Sequence, residues 1–208
     1  MRFVCLLLAS VSFAWAAPTI NAGDLYDAKQ YKQAYQIYSK DALRGDPWAR
    51  YLAGFMLIHG QGVKQDRVKG IRLITLAAQQ GEFHAMHELM DIYSQDLIVP
   101  RDMPKAIEWA RKADESGAYD DTSKFIANAL SESSNKAELD EAIERFNYFI
   151  NEDKTLYFEQ YRLGLAYANR AKFVSSDIDL ARQWLKIAEI NSPPEFVRYP
   201  ILGMSFLL

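Results

Sequence analysis

The sequence contains a single cysteine among its 208 residues, Cys5. A lone cysteine excludes both an internal disulfide framework and a thiolate zinc cluster, because each of these needs several cysteines. The chain also lacks an excess of basic residues, since 24 Lys and Arg stand against 27 Asp and Glu. This balance argues against a nucleic-acid-binding protein, whose binding face is normally basic. Half of the residues are hydrophobic and a quarter are charged, as in ordinary globular domains.

No apolar run is long enough to cross a bilayer, which takes roughly 20 residues. The first sixteen residues instead have the composition of a secretory signal peptide. Arg2 precedes a short apolar stretch, and small residues stand at Ala14 and Ala16, the two positions that a signal peptidase reads. We expect cleavage after Ala16, which leaves one domain over residues 17–208, either periplasmic or secreted.

Small and apolar residues of the mature chain recur at a step of 36 residues. Gly45, Gly81 and Gly117 keep this step. A period of 20–50 residues is typical of a solenoid, in which each unit buries its apolar face against its neighbours. Within a unit the apolar residues lie three and four apart, which predicts α-helices, and strand signals are almost absent. Residues predicted to end helices are Gly60, Gly81, Gly117 and Asn151, and those predicted to cap N-termini are Asp66 and Asp102.

The repeating unit has a specific pattern of small, apolar and polar positions. In the first copy the matching residues are Ala49, Ala53, Gly54, Leu57, Gly60, Gly62, Val63, Asp66, Lys69, Gly70, Leu73, Ala77, Ala78 and Gly81. In the second copy they are Ala85, Leu89, Tyr93, Val99, Asp102, Lys105, Ala106, Trp109, Lys112, Ala113 and Gly117. The unit resembles the Sel-1-like repeat (SLR) family, which is related to tetratricopeptide repeats. The resemblance implies an all-α fold, a right-handed α-α solenoid of about four to five stacked antiparallel helix pairs.

Other parts of the chain match the family pattern less well. The second copy has Met90, Asp96 and Ile98 where the family usually has glycine, so we expect a different inter-helix loop there. A weak third copy consists of Phe125, Ala129, Glu138, Glu141 and Ala142. A fourth consists of Leu163, Gly164, Tyr167, Asp177, Leu180, Ala181, Trp184 and Ala188. Before all of these, Tyr31, Ala34, Tyr38 and Ala42 resemble the second helix of a tetratricopeptide unit.

The sequence offers few candidates for chemistry. His84 and His87 share a helix face near Glu88 and Asp91, but a metal site needs a third convergent ligand, and two polar groove residues are the alternative. Acidic residues outnumber basic ones two to one between residues 102 and 159, which indicates a solvated acidic face or an attraction for a basic partner. Hydrolase, phosphate-loop and zinc-protease motifs are missing. We therefore expect no catalytic residues, no metal and no cofactor.

The best candidate site is the concave surface, which in helical-repeat solenoids is lined by the first helix of each pair and binds partners. The register of the resemblance puts three sets of residues on this face. They are Trp48, Tyr51, Phe55 and Ile58 in the first copy, His84, His87, Asp91 and Ser94 in the second, and Phe158, Tyr161, Leu165 and Ala168 in the fourth. Two aromatic patches would thus flank a polar centre. The alternative is that these rings belong to the core, as Leu73, Trp109 and Trp184 are expected to do.

These features together favour an exported, non-enzymatic protein-binding scaffold. The resemblance implies adaptor, host-interaction or toxin-neutralising roles, and one concrete form is an immunity protein that blocks a periplasmic toxin. Another protein is then the partner, with neither nucleic acid nor a membrane span involved. An envelope enzyme acting on cell-wall material or a β-lactam is an alternative, although such relatives are cysteine-rich; a structural assembly factor is another. The apolar tail after Pro193-Pro194 either folds back as a lid or contacts the partner.

Overall fold

The computed structural model describes residues 21–116 and 120–193, which form ten α-helices and no strand. The helices are α1 (Ala22–Asp27), α2 (Tyr31–Leu43), α3 (Pro47–His59), α4 (Arg67–Gln79), α5 (Phe83–Ser94), α6 (Met103–Glu115), α7 (Asp120–Leu130), α8 (Lys136–Glu152), α9 (Tyr157–Arg170) and α10 (Asp177–Asn191). None of these described helices is long and apolar enough to cross a membrane. The predicted signal peptide, Gly117 and the C-terminal tail from Pro194 onward lie outside the described residues.

The helices pack as antiparallel hairpins in chain order. Helix α3 pairs with α4, α5 with α6, α7 with α8 and α9 with α10, and each hairpin also packs on the next. Within the first hairpin Gly54 approaches Ile74 while Ile58 approaches Gly70, so the two helices run in opposite directions. Helix α2 packs on the short α1, in the place predicted for the second helix of a tetratricopeptide unit. The predicted all-α solenoid of stacked helix pairs is confirmed.

The first two hairpins share the hydrogen bonds at the start of their second helix. The amide of Asp66 donates to the carbonyl of Leu57 at 2.9 Å, and 36 residues later the amide of Asp102 donates to Tyr93 at 2.8 Å. Both aspartates are N-caps, because each carboxylate accepts a hydrogen bond from the amide three residues on. This confirms the prediction for Asp66 and Asp102.

The predicted helix ends are confirmed in part. Gly60 and Gly81 have positive φ angles of 69° and 90°, a left-handed conformation that glycine adopts without steric cost. In the second copy α5 is followed by Gln95 in an extended conformation, so the expected difference between the two loops is present. The prediction for Asn151 is wrong, because α8 continues to Glu152. The C-cap residue is Asp153, whose Oδ1 accepts hydrogen bonds from both the amide and the hydroxyl of Thr155.

The buried residues form two clusters that meet within α3. Met56 belongs to a smaller N-terminal cluster with residues of α1 and α2, and Ile58 belongs to the larger cluster that runs from α3 to α10. Ile58 was expected on the concave face, but it is only 1% exposed. It packs against Gly70 of α4 within its own hairpin, so this assignment is wrong. Trp109 is buried as predicted, whereas Leu73 and Trp184 are only partly buried.

The third unit has a different register from the predicted one. Ile126, Ala127 and Leu130 are buried in α7, while Phe125 and Ala129 are only partly buried. The buried positions of α7 are therefore displaced by one residue from Phe125 and Ala129 of the predicted copy. Ala142 of α8 is fully buried, in agreement with the prediction.

Candidate partner-binding surface on α3 and α5

The start of α3 fixes the orientation of its aromatic side chains. The N-cap Asp46 accepts a hydrogen bond from the amide of Ala49 at 2.7 Å, and Pro47 occupies the first turn. Because one face of the helix buries small residues, the other face carries Trp48, Tyr51 and Phe55 at helical spacing. The Trp48 residue is 43% exposed, and Tyr51 and Phe55 are half-buried.

The aromatic rings of α3 form a continuous strip. The ring centroids of Trp48 and Tyr51 are 5.3 Å apart, and those of Tyr51 and Phe55 are 6.3 Å apart. The strip ends at His59, whose ring lies 4.3 Å from Phe55. Burial, with a contribution from Arg67, lowers the pKa of His59. His59 is the last residue of α3, and Gly60 follows it at the C-cap position.

Helix α5 brings His84 against this strip. The His84 ring lies 5.0 Å from Trp48 in an edge-on arrangement and 5.9 Å from Tyr51 in a stacked one. Glu82, the N-cap of α5, holds the imidazole in place: its Oε1 accepts from the His84 amide at 3.1 Å and lies 2.9 Å from Nδ1. His84 therefore extends the α3 aromatic patch. It does not belong to a separate polar centre.

Two carboxylates follow His84 along α5. Glu88 and Asp91 lie one and two turns on, and Glu88 is near enough to Tyr51 to act on its titration. Burial first, and then the charge of Glu88, raise the pKa of Tyr51 to about 12. Burial and the neighbouring Asp91 raise the pKa of Glu88. Burial also raises the pKa of Asp91, against the opposite effect of His87. We refer to Trp48, Tyr51, Phe55, His84, Glu88 and Asp91 together as the α3–α5 surface.

The two histidines of α5 have different surroundings. His84 contacts α3, whereas the Nδ1 atom of His87 lies 3.6 Å from Oδ2 of Asp91, within ion-pair range but beyond hydrogen-bond length. Among the described residues, no group of three or more His, Cys, Asp or Glu side chains could hold a metal ion.

The predicted α9 patch is separate from the α3–α5 surface. Phe158 is 49% exposed, and Tyr161 and Leu165 are half-buried. Helix α7 lies between α5 and α9, and a cavity of about 310 Å³ opens beside it. This cavity is lined by Arg101, Met103, Phe125, Asn128, Ala129, Glu132 and Arg162. The structure therefore brings Trp48, Tyr51 and Phe55 together with His84, but not with the residues of α9.

The acidic region between residues 102 and 159 is partly exposed to solvent, as its composition suggests, and partly engaged in ion pairs between helices. Arg111 makes a bidentate contact with Glu141, at 2.8 and 2.7 Å, and Arg145 pairs with Asp114 at 2.9 Å. The other carboxylates that pair with an arginine from a different helix are Glu132, Asp140 and Asp177. Within residues 102–159, four carboxylates thus link neighbouring helices, whereas others, such as Glu144 and Glu152, are exposed.

Sequence reasoning places Glu88 beside the histidines but does not predict that its charge acts on Tyr51. Glu82 is missed altogether. Its position directly before the apolar pattern of α5, where a side-chain acceptor can cap the helix, is the signal that could have identified it.

Comparison with known proteins agrees with this architecture. The Sel1 repeat family model matches residues 49–82, 84–117 and 160–189, and leaves the weak third copy unmatched. Two solved structures have the same fold. A Sel1 repeat protein from Oxalobacter formigenes is 20% identical, with a TM-score of 0.55, over 84% of this chain and 85% of that one. A protective antigen of uropathogenic Escherichia coli with an SLR fold is 23% identical, with a TM-score of 0.51, over 82% of this chain and 40% of that one.

A curated relative covers a smaller part of the chain. An uncharacterised protein of Neisseria meningitidis serogroup B is 31% identical over 83 residues, which is 40% of this chain and 17% of that protein. The chain thus spans about a sixth of the length of this relative.

Proposed function

We propose that this chain, which carries three Sel1 repeats, is an exported, non-enzymatic scaffold that binds a partner protein through the α3–α5 surface. Proteins with this repeat are commonly protein-interaction scaffolds, which supports the proposal. The observation that supports this most directly is the exposed Trp48, held in ring contact with both Tyr51 and His84. Trp and Tyr are the residues most enriched at the energetic centres of interfaces. Because their neighbours already fix these rings, little side-chain freedom is left to lose on binding.

The α9 patch is a second contact region in this proposal. Phe158, Tyr161 and Leu165 lie on α9, the first helix of the fourth hairpin. A partner that reached both regions would pass α7, next to the cavity lined by Arg162. His87, on the same helix as His84, would lie beside its path.

Export is supported by the composition of residues 1–16. The test is the N-terminal sequence of the protein recovered from an envelope fraction or from culture fluid, where we expect a chain that begins at Ala17. Recovery of the chain only from the cytoplasm, with Met1 retained, would contradict it.

A capture experiment tests the binding function. Mature protein tagged at Ala17 is used to capture partners from envelope extract and culture fluid, in parallel with a Trp48→Ala, Tyr51→Ala double variant. The control is Phe173→Ala, which removes a comparably exposed ring (51%) from the loop between α9 and α10. We expect one stoichiometric partner that the double variant loses and the control retains, with unchanged helix content by circular dichroism. Equal capture by all three proteins would contradict the proposal.

A more specific form of the proposal is an immunity protein that occludes a periplasmic toxin. It is supported by the family resemblance and by the carboxylates of the α3–α5 surface, which suit a basic target. A captured partner that kills cells when it reaches the periplasm without this protein is the expected result. A captured multi-subunit envelope complex would favour a structural assembly factor, and hydrolysis of cell-wall material or a β-lactam by the purified chain would favour an enzyme.

A further inference from the structure

Glu88 differs from the other carboxylates that lie between helices of this protein. Asp114, Glu132, Asp140, Glu141 and Asp177 each contact an arginine of another helix. Within the described ranges, no cation and no hydrogen-bond donor contacts the carboxylate of Glu88. Yet Glu88 is partly buried, and its own pKa is raised mainly by that burial. The folded chain therefore already bears part of the cost of removing this charge from water.

The surroundings of Glu88 suit a cation. Asp91 follows it by three residues on the same helix face, so both carboxylates would attract a positive charge placed over α5. The rings of Trp48 and Tyr51 lie across the boundary with α3, and their π faces attract cations. His84 is held by Glu82 and leaves Glu88 without a partner.

Among the cations that a protein can offer, arginine matches this arrangement best. Its guanidinium is planar, stacks on aromatic rings and can still donate hydrogen bonds to a carboxylate at its edge. A lysine ammonium is a compact, strongly hydrated charge that cannot stack in the same way. A carboxylate ligand would be repelled by Glu88 and Asp91.

We propose that the α3–α5 surface accepts an arginine side chain of the partner protein, with the guanidinium against the Trp48–Tyr51 ring pair and hydrogen-bonded to Glu88. This inference rests on the proposed binding function and specifies the chemistry of the partner. Binding supplies the counter-ion that Glu88 lacks in the free protein, while Asp91 adds attraction without direct contact.

The first test uses defined peptides in place of the partner. The peptide Ac-Ala-Ala-Arg-Ala-Ala-NH₂ is titrated into ¹⁵N-labelled mature protein, and the indole N–H signal of Trp48 is followed. Peptides with citrulline, which is uncharged and nearly isosteric, or with lysine replace it in parallel. We expect saturable binding of the arginine peptide, at least tenfold weaker binding of the citrulline peptide and clearly weaker binding of the lysine peptide. Equal binding of all three, or no saturable shift, would overturn the proposal, and equal binding of the arginine and lysine peptides would overturn the assignment to arginine.

Two variants localise the effect. Glu88→Gln keeps the shape of the side chain but removes its charge, and we expect at least fivefold weaker binding of the arginine peptide. Glu152→Gln removes an exposed carboxylate at the end of α8, away from this surface, and should bind like the wild type. An equal loss of affinity in both variants would show that the peptide responds only to the net charge of the protein, and it would overturn the proposed site.

The captured partner separates this inference from the proposed function. If the Trp48→Ala, Tyr51→Ala variant loses the partner while Glu88→Gln binds it like the wild type, the scaffold function stands and the arginine site is wrong. If no partner is captured but the arginine peptide binds in a Glu88-dependent way, the cation site stands and the scaffold function is wrong.

Discussion

Gly54 of α3 and Gly70 of α4 lie back to back. A Cβ atom on Gly54 would stand 2.8 Å from the carbonyl oxygen of Gly70, and one on Gly70 would stand 2.7 Å from the carbonyl oxygen of Gly54. The two helices of this hairpin therefore touch through their backbones. Thirty-six residues later the equivalent positions are Met90 and Ala106, so the second hairpin cannot repeat this contact.

Replacement of Gly54 by Ala should destabilise the protein. The new methyl group would meet backbone that cannot move aside, and overpacking of this kind costs about 1–3 kcal/mol, partly offset by the better helix propensity of Ala. We expect a smaller loss for Gly164→Ala, because a Cβ there meets mainly the flexible side chain of Leu185. Urea unfolding of both variants measures the difference, and a Gly54→Ala protein as stable as the wild type would contradict the close approach.

Substitution of Trp109 should lower mainly the stability of the protein, whereas substitution of Trp48 should weaken mainly partner binding. Trp109 is 9% exposed and packs in the large core, so Trp109→Ala should lower the free energy of unfolding by about 3–5 kcal/mol. Trp48 is 43% exposed, so Trp48→Ala should cost far less stability and act mainly on partner binding. Thermal melts followed by circular dichroism compare the two. An unchanged midpoint for Trp109→Ala would show that the register of α6 is wrong.

Asp177 should contribute much more to the stability of the protein than the nearby Asp179. The Asp177 side chain is 3% exposed and accepts two hydrogen bonds from Arg170, at 2.6 and 3.2 Å. Asp177→Ala leaves this partly buried guanidinium with Asp140 as its one remaining carboxylate partner among the described residues, and we expect a loss of about 2–3 kcal/mol. Asp179 is 74% exposed, so Asp179→Ala should stay within about 0.5 kcal/mol of the wild type. Chemical denaturation measures both variants, and equal effects would mean that the buried pair adds nothing.

Glu88→Gln should stabilise the free protein at neutral pH. Burial raises the pKa of Glu88, so the folded state holds this proton more tightly than the unfolded chain does. The contribution of Glu88 to stability therefore falls as pH rises through the folded-state pKa. Melting temperatures should be higher for Glu88→Gln than for the wild type at pH 7, and the gap should close below the ordinary pKa of glutamate. A lower melting temperature for the variant at pH 7 would indicate a stabilising partner for Glu88.

Local signals made much of the fold predictable. The caps Asp66 and Asp102 and the turn glycine Gly60 act within a few residues, and the 36-residue period shows which positions repeat. The rotation of each helix about its axis depends on contacts between distant segments. Ile58 was misplaced for this reason, and the register of α7 was missed by one residue.

The candidate site follows the same division. Helical spacing predicts that Trp48, Tyr51 and Phe55 share a face, because all three lie on one helix. Their contact with His84 depends on how two hairpins stack, and so does the effect of the Glu88 charge on Tyr51. Pairing of the acidic residues with arginines of other helices could not be predicted from composition, which records charges but not neighbours.

Because of these ion pairs, the stability of the two ends of the solenoid should depend differently on salt concentration. Among the described residues, every ion pair that joins different helices or their loops lies beyond residue 101, and those of α1 to α5 stay within one helix or its cap. Salt screens charged pairs, most strongly where they reach solvent, but leaves apolar contacts intact, and a solenoid opens where its nearest-neighbour contacts are weakest. At high salt concentration the hairpins beyond residue 101 should therefore lose more stability than α1 to α5, which carry Trp48 and Glu88.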